Sequence, residues 1–283
     1  MVTATVARGL TAHLERLDEL HVFPAAASKV LEVARRPDSS LSDMERAVSR
    51  DPVLVGRVLK LANSPMYGRA TRVSSVDRAI AALGFAGTRD VALALAIGGV
   101  GSDRSPWGRR LWTHALGGAW GAKLLARHVR QVDGEAAFVT GLLRDVGLQL
   151  MLVLHEREAN GMFEARGRID VGSQEDERRL FGCDHAELGA AALRRWSLPD
   201  GVSEAVEVHH RPLGATRSAR PRDVALLQVA DAMAMAAAEA STPDDVVSAG
   251  MRHPAAAVLR AVRGAYVAVS ETLLTHWDSL ADF

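Results

Sequence analysis

The segment Ala136 to Leu154 is almost wholly apolar, and its strongly polar members are Arg144, Asp145 and Gln149 alone. A stretch of that length and composition reads as one helix inside a packed core, where burial of its apolar surface drives folding. Charges placed inside such a stretch are rarely buried without partners or a function. The chain therefore has to build a helical core around an Arg-Asp pair, and other side chains have to satisfy that pair.

Helical spacing recurs through the rest of the sequence. From Phe23 to Arg36 the apolar residues Phe23, Ala27, Val30, Leu31 and Ala34 predict an amphipathic helix that stops before Pro37. Ser42 with Glu45 reads as a capping box that opens a short helix ending near Asp51-Pro52, and Pro52 then opens the next helix at its first turn. That helix runs through Val55, Val58, Leu59 and Ala62, and the turn-forming segment Asn63-Ser64-Pro65-Met66-Tyr67-Gly68 breaks it. Ser74 with Asp77 predicts a short helix ended at Gly84, and Thr88 is expected to cap an apolar helix from Val91 to Ile97. The loop Gly98 to Pro106 is the expected seam. Beyond it, Leu111 to His128 carries Trp112, Leu116, Trp120 and Leu124 on one stripe, with His114 on a neighbouring face. Further helices are expected from Asp184-His185 onward, over Val202 to His210, over Val224 to Ala240 with Asp231, and over Pro254 to Phe283. No segment alternates as a strand does, so the expected fold is all-α. An N-terminal helical lobe over 1–100 is followed by a helical bundle over 101–240 and a C-terminal helical extension over 241–283.

Composition narrows the function classes. Lys plus Arg equals Asp plus Glu at 34 each, so no net field draws the chain onto nucleic acid or an anionic membrane surface. Reading the short helices from Ser42 to Ala62 as a DNA-binding helix-turn-helix is disfavoured on the same ground. The longest uninterrupted apolar run, Val91 to Val100, falls short of the roughly 20 residues needed to cross a bilayer, and charges interrupt Met1 to Leu20 as no export signal would allow. One cysteine, Cys183, fits a reducing compartment and is expected to be inert, so a cytoplasmic protein is expected.

Several motifs occur in an order that resembles the HDOD family, relatives of the HD phosphohydrolases. The first part carries Leu20-His21-Val22-Phe23-Pro24, Ser49-Arg50-Asp51-Pro52, Leu59-Lys60-Leu61-Ala62-Asn63-Ser64 and Ala79-Ile80-Ala81-Ala82-Leu83-Gly84. The second carries His114, Gly141 to Gly147, Asp184-His185 with Gly189, Trp196-Ser197-Leu198-Pro199, His209-His210-Arg211-Pro212 and Val229-Ala230-Asp231-Ala232. The resemblance implies an HD-like bundle over 101–240 and a bacterial signalling module regarded as non-enzymatic. Asp51, Pro52, Asn63 and Ser64 are matched family positions whose plain explanation is helix capping and turn formation.

In an HD enzyme the positions of His114, Arg144, Asp145 and Asp231 would hold one metal, and those of His185, His209 and His210 would help to hold a second. Here Arg144 stands where a ligating histidine belongs. A guanidinium keeps its proton and offers no lone pair. At 4 Å and an effective dielectric near 20, two unit charges interact by about 4 kcal/mol, so a divalent ion beside a fixed guanidinium meets roughly 8 kcal/mol of repulsion. The expectation is that Arg144 replaces the cation by pairing with Asp145 and Asp231, that no catalytic residue and no cofactor remain, and that a residual divalent metal is the open exception. Leu148 occupies the lysine position of the cyclic-dinucleotide-cleaving relatives, and their Gly-Tyr-Pro motif is absent. Expected partners are another signalling protein or a second copy, with a nucleotide ligand open. The alternative is a divalent-metal phosphohydrolase or phosphodiesterase acting on a nucleotide or cyclic dinucleotide.

Overall fold

The computed structural model describes residues 2–63, 73–101, 105–167, 169, 174–214, 220–239 and 242–281, and every element among them is a helix. The residues group into two compact units, one comprising Phe23–Gly99 and the other Met1–Val22 with Val100–Asp282.

In the smaller unit, α2 (Ala25–Arg35), α3 (Leu41–Val48), α4 (Pro52–Ala62) and α5 (Val76–Gly98) enclose Val30, Met44, Val48, Leu54, Val58, Leu61 and Ile80. The capping box of α3 lies two residues earlier than the Ser42-Glu45 expectation. Ser40 accepts from the Asp43 backbone N–H, and Asp43 accepts from that of Ser40. Ser42 lies inside the helix, where its hydroxyl accepts from Arg46. Asp51 caps α4 by accepting from the N–H groups of Val53 and Leu54, with Pro52 at the first helical position. Asn63 closes α4 and clamps the chain that returns at Val73, donating to Val73 O at 2.7 Å and accepting from Val73 N at 2.7 Å. Ser64 lies outside the described residues. The two expected helices before the seam are one element bent at Gly84, whose φ of 71° is left-handed. Ser75, not Ser74, precedes that element, and Thr88 is buried within it rather than capping it.

The larger unit is built around α6 (Pro106–Ala126), which Ser105 caps by accepting from Gly108 N–H. Almost all of α6 is buried, and it packs against α7 (Gly134–Leu143), α13 (Pro221–Ala238) and α16 (Arg263–Ala281). The apolar stretch from Ala136 to Leu154 is two helices and not one, because Arg144 and Asp145 separate α7 from α8 (Val146–Leu154). Taken together, Gly134–Leu154 is long and apolar enough to cross a bilayer, yet 94% of its most apolar window is buried inside the protein. The remaining elements are α1 (Val2–Glu19), α9 (Glu156–Arg166), α10 (Gln174–Phe181), α11 (His185–Arg195), α12 (Asp200–Val208), α14 (Pro243–Arg252) and α15 (Ala256–Leu259).

These groupings differ from the expected boundaries at both ends. The first helix joins the larger unit: Leu17 is buried, α1 packs on α8 and α11, and Arg195 Nε donates to Asp18 at 2.7 Å. The last helices belong to that unit too, because α14 and α16 pack on α13 and bury Val246, Tyr266, Val269 and Leu273. Over Pro254 to Phe283 there are two helices, α15 and α16, and not the single one expected, since Arg260 between them adopts a left-handed φ of 52° and Val262 is exposed.

Candidate functional site

Six helices of the larger unit bring the sequence-predicted residues together. His114 comes from the middle of α6, Arg144 and Asp145 from the break between α7 and α8, His185 from the first turn of α11, His209 and His210 from the end of α12, and Asp231 from α13. Local chemistry sets each one. Asp184 and Glu187 form a reciprocal capping box that fixes the start of α11 at His185. A Cβ on Gly147 would lie 2.7 Å from the His185 carbonyl carbon, so glycine lets α11 come close enough to α8 to deliver that histidine.

Arg144 is 1% exposed and makes contacts all around its guanidinium. Its Nε and Nη2 donate to Asp231 Oδ1 at 3.0 and 2.8 Å, and its Nη1 donates to Gly141 O at 2.6 Å. Nη2 also stands 2.7 Å from His114 Nε2, and Nε stands 3.2 Å from Asp145 Oδ2. The side chain fits because α6 carries glycine where it passes: a Cβ on Gly118 would lie 2.5 Å from Arg144 Cζ.

Asp145 sits between two groups of ligand atoms. Both of its oxygens lack a hydrogen-bond partner; Arg144 Nε stands 3.2 Å from Oδ2 on one side, and His209 Nε2 at 3.4 Å and His185 Nε2 at 3.8 Å face Oδ1 on the other. Burial opposes its ionisation, and Arg144, His209 and His114 overcome that and hold the carboxyl well below the usual range. Asp231 shifts in the same direction against burial, through Arg144 and His114.

The histidines form a second cluster. His185 Nδ1 meets Glu177 Oε2 at 2.7 Å, and its Nε2 lies 3.0 Å from His210 Nε2. Burial works against a charge on His185, and the Glu177 carboxylate beside it prevails, pushing it up to about 9. Burial, His209 and His185 push His210 down to about 2. His185 therefore donates to a neutral His210. His209 Nδ1 donates to Val206 O at 2.6 Å, and its Nε2 is buried without a hydrogen-bond partner. Both adjacent histidines thus line the site. Cys183 is buried, and burial with Glu187, Asp184 and Glu177 nearby pushes its thiol up to about 12, as an inert cysteine requires.

The metal-binding chemistry of the two groups differs. In the set His114, Asp145 and Asp231, the guanidinium already donates to the lone pairs that an ion would take, so these residues do not fit a metal. In the set Asp145, His185, His209 and His210 the ligand atoms lie within 4.8 Å of one another. The Nδ1 atoms of His185 and His209 are anchored outside the cluster, which leaves each Nε2 aimed inward, the usual outer-shell arrangement of metal-binding histidine. That set fits one divalent ion. Glu177 is the residue that sequence reasoning missed: α10 reads Gln174 to Phe181 with Glu175, Asp176 and Glu177 in a row, and the sole signal is that Glu177 shares a face with the buried Phe181 one turn on.

The HDOD domain profile matches residues 20–212. The chain belongs to the HDOD family. An HDOD domain protein of unknown function from Geobacter sulfurreducens superposes with a TM-score of 0.69 at 25% identity, covering 98% of this chain and 97% of that one. A protein of Shewanella amazonensis SB2B, provisionally assigned as a phosphohydrolase, shares the fold at a TM-score of 0.75 and 23% identity over 96% and 97% of the two chains. An uncharacterized protein of Treponema pallidum (strain Nichols) is 26% identical over 215 residues, which is 73% of this HDOD chain and 40% of the Treponema protein. The match thus spans less than half of that relative's length.

Proposed function

We propose that this HDOD protein is a non-catalytic signalling module that acts by binding, with another protein, a second copy or a small ligand as its partner. The observation that carries this reading is the Arg144 guanidinium, which donates to Asp231 and His114 where a hydrolase would hold its first metal. A two-metal clamp on a phosphate ester needs both positions, and one of them is taken by a side chain that cannot activate water. The test is turnover of phosphate mono- and diesters with manganese, magnesium or zinc supplied, beside elemental analysis of the protein purified without chelator. No turnover is expected, and Arg144→His is expected to bind more metal than the natural chain. Turnover that Asp145→Asn abolishes would overturn the reading.

One observation favours a second reading, a divalent-metal phosphohydrolase. Asp145, His185, His209 and His210 offer a carboxylate and three imidazoles to a single ion, which would supply Lewis acidity there. Bound metal together with turnover would select it.

A further inference from the structure

His114 has two faces. Its Nε2 belongs to the Arg144 and Asp231 cluster, while its Nδ1 is buried with no hydrogen-bond partner. Arg144 Nη2, a permanent donor, stands 2.7 Å from that Nε2 and the Asp231 carboxylate, an acceptor, stands 2.9 Å from it, so the ring hydrogen has two places: Nε2, toward Asp231, or Nδ1, which lets Nε2 accept from Arg144. A buried N–H without an acceptor costs free energy unless a bound group completes it.

His114 also lines a cavity of about 730 Å³ within the larger unit. The start of α6 supplies Arg109 and Arg110 to its wall, α13 supplies Met235 and ends at Glu239, which also lines it, and α16 supplies Trp277 and Asp278. Both arginines are exposed, neither forms an ion pair among the described residues, and Arg110 lies over the Trp107 ring at 4.8 Å. The Trp277 ring is seated on α6, since a Cβ on Gly117 would come within 2.8 Å of its Cη2. The acidic residues stand on the α13 and α16 walls, so the cavity is polarised, with its cationic side along α6. Its volume lies in the range of small-molecule sites, which combine apolar walls with a few convergent polar groups.

We infer that this cavity binds a small aromatic anion, with the ring against Trp277 and Met235 and the carboxylate, sulfonate or phosphate toward Arg109, Arg110 and the Nδ1–H of His114. The inference rests on the binding-module reading and names its small-molecule input. An acceptor at Nδ1 holds the His114 hydrogen there and keeps Nε2 an acceptor for Arg144, so ligand and guanidinium favour the same tautomer. That couples the cavity to the buried cluster through one ring.

The test is calorimetric titration of the full chain with naphthalene-2-sulfonate, beside its neutral counterpart 2-naphthalenemethanol. The anion is expected to bind one per chain and about tenfold tighter than the alcohol, a difference of about 1.4 kcal/mol. The double variant Arg109→Gln with Arg110→Gln should abolish that preference while leaving alcohol binding in place. Trp277→Ala, and separately Gly117→Ala, should weaken both ligands, with thermal unfolding checking that each variant is folded. Nitrogen NMR should show the His114 ring shifting with the anion and not with the alcohol. Absence of saturable binding by the natural chain, or equal affinity in the natural chain and the double variant, would overturn the inference. Neither result bears on metal content or turnover, so the module reading stands or falls separately.

Discussion

At the scale of single residues, Arg144 is the group on which the buried site depends. Replacing it by alanine leaves Asp145 and Asp231 buried without their cation, and removing one partner of a buried pair typically costs about 3–5 kcal/mol. Chemical denaturation should show a loss of that size in Arg144→Ala. Gly118→Ala should cost about 1–3 kcal/mol by crowding the guanidinium, and little once Arg144 has been shortened to alanine, so a double-mutant cycle would report their contact. Glu177 and His185 give a pH signature. The folded pKa of His185, about 9, lies above its ordinary 6.5, so their pairing contributes stability that is fully present below pH 6.5 and lost as pH rises through 9. Unfolding free energy should fall across that window in the natural chain, and Glu177→Gln should flatten the slope. The histidines and aspartates of this site were legible because their types and order stand in the sequence. Glu177 was not, since three consecutive acidic residues look alike until the phase of α10 is known, and neither was Gly118, whose role is to leave space for a side chain from another helix.

At the scale of elements, helices follow periodicity and their ends follow caps. The amphipathic helix after Pro24, the proline-opened α4 and the capped start of α11 were readable because each has a local cause. The α3 boundary was misread by two residues because Ser40-Asp43 and Ser42-Glu45 present the same pattern, and the chain's entry angle decides between them. Ser40→Ala should lower stability by about 1 kcal/mol, while Ser42→Ala should change it by less than about 0.5 kcal/mol, measured by the denaturation midpoint. The break between α7 and α8 escaped the apolar pattern, since apolar residues continue on both sides of Arg144 and Asp145 while the backbone turns to aim both charges inward. The C-terminal helices escaped similarly: Arg260 takes a left-handed conformation that its side chain gives no reason to expect.

At the scale of the whole molecule, the larger unit is assembled from two separated pieces of chain, with α1 reaching it from ahead of the smaller unit. Deleting residues 2–22 should therefore lower hydrogen-exchange protection in α8 and α11, against which α1 packs, and leave α2 to α5 protected; equal loss in both units would contradict this assembly. The seating of Arg144 has a consequence for how the protein meets its surroundings. A metal ion is borrowed from a pool, and its presence varies with supply, competition and chelators. The guanidinium is made with the chain, present once per molecule, and cannot be titrated away or exchanged. The half of the cluster that it fills is thus insulated from metal starvation and metal excess alike, and what varies there is left to the groups around it.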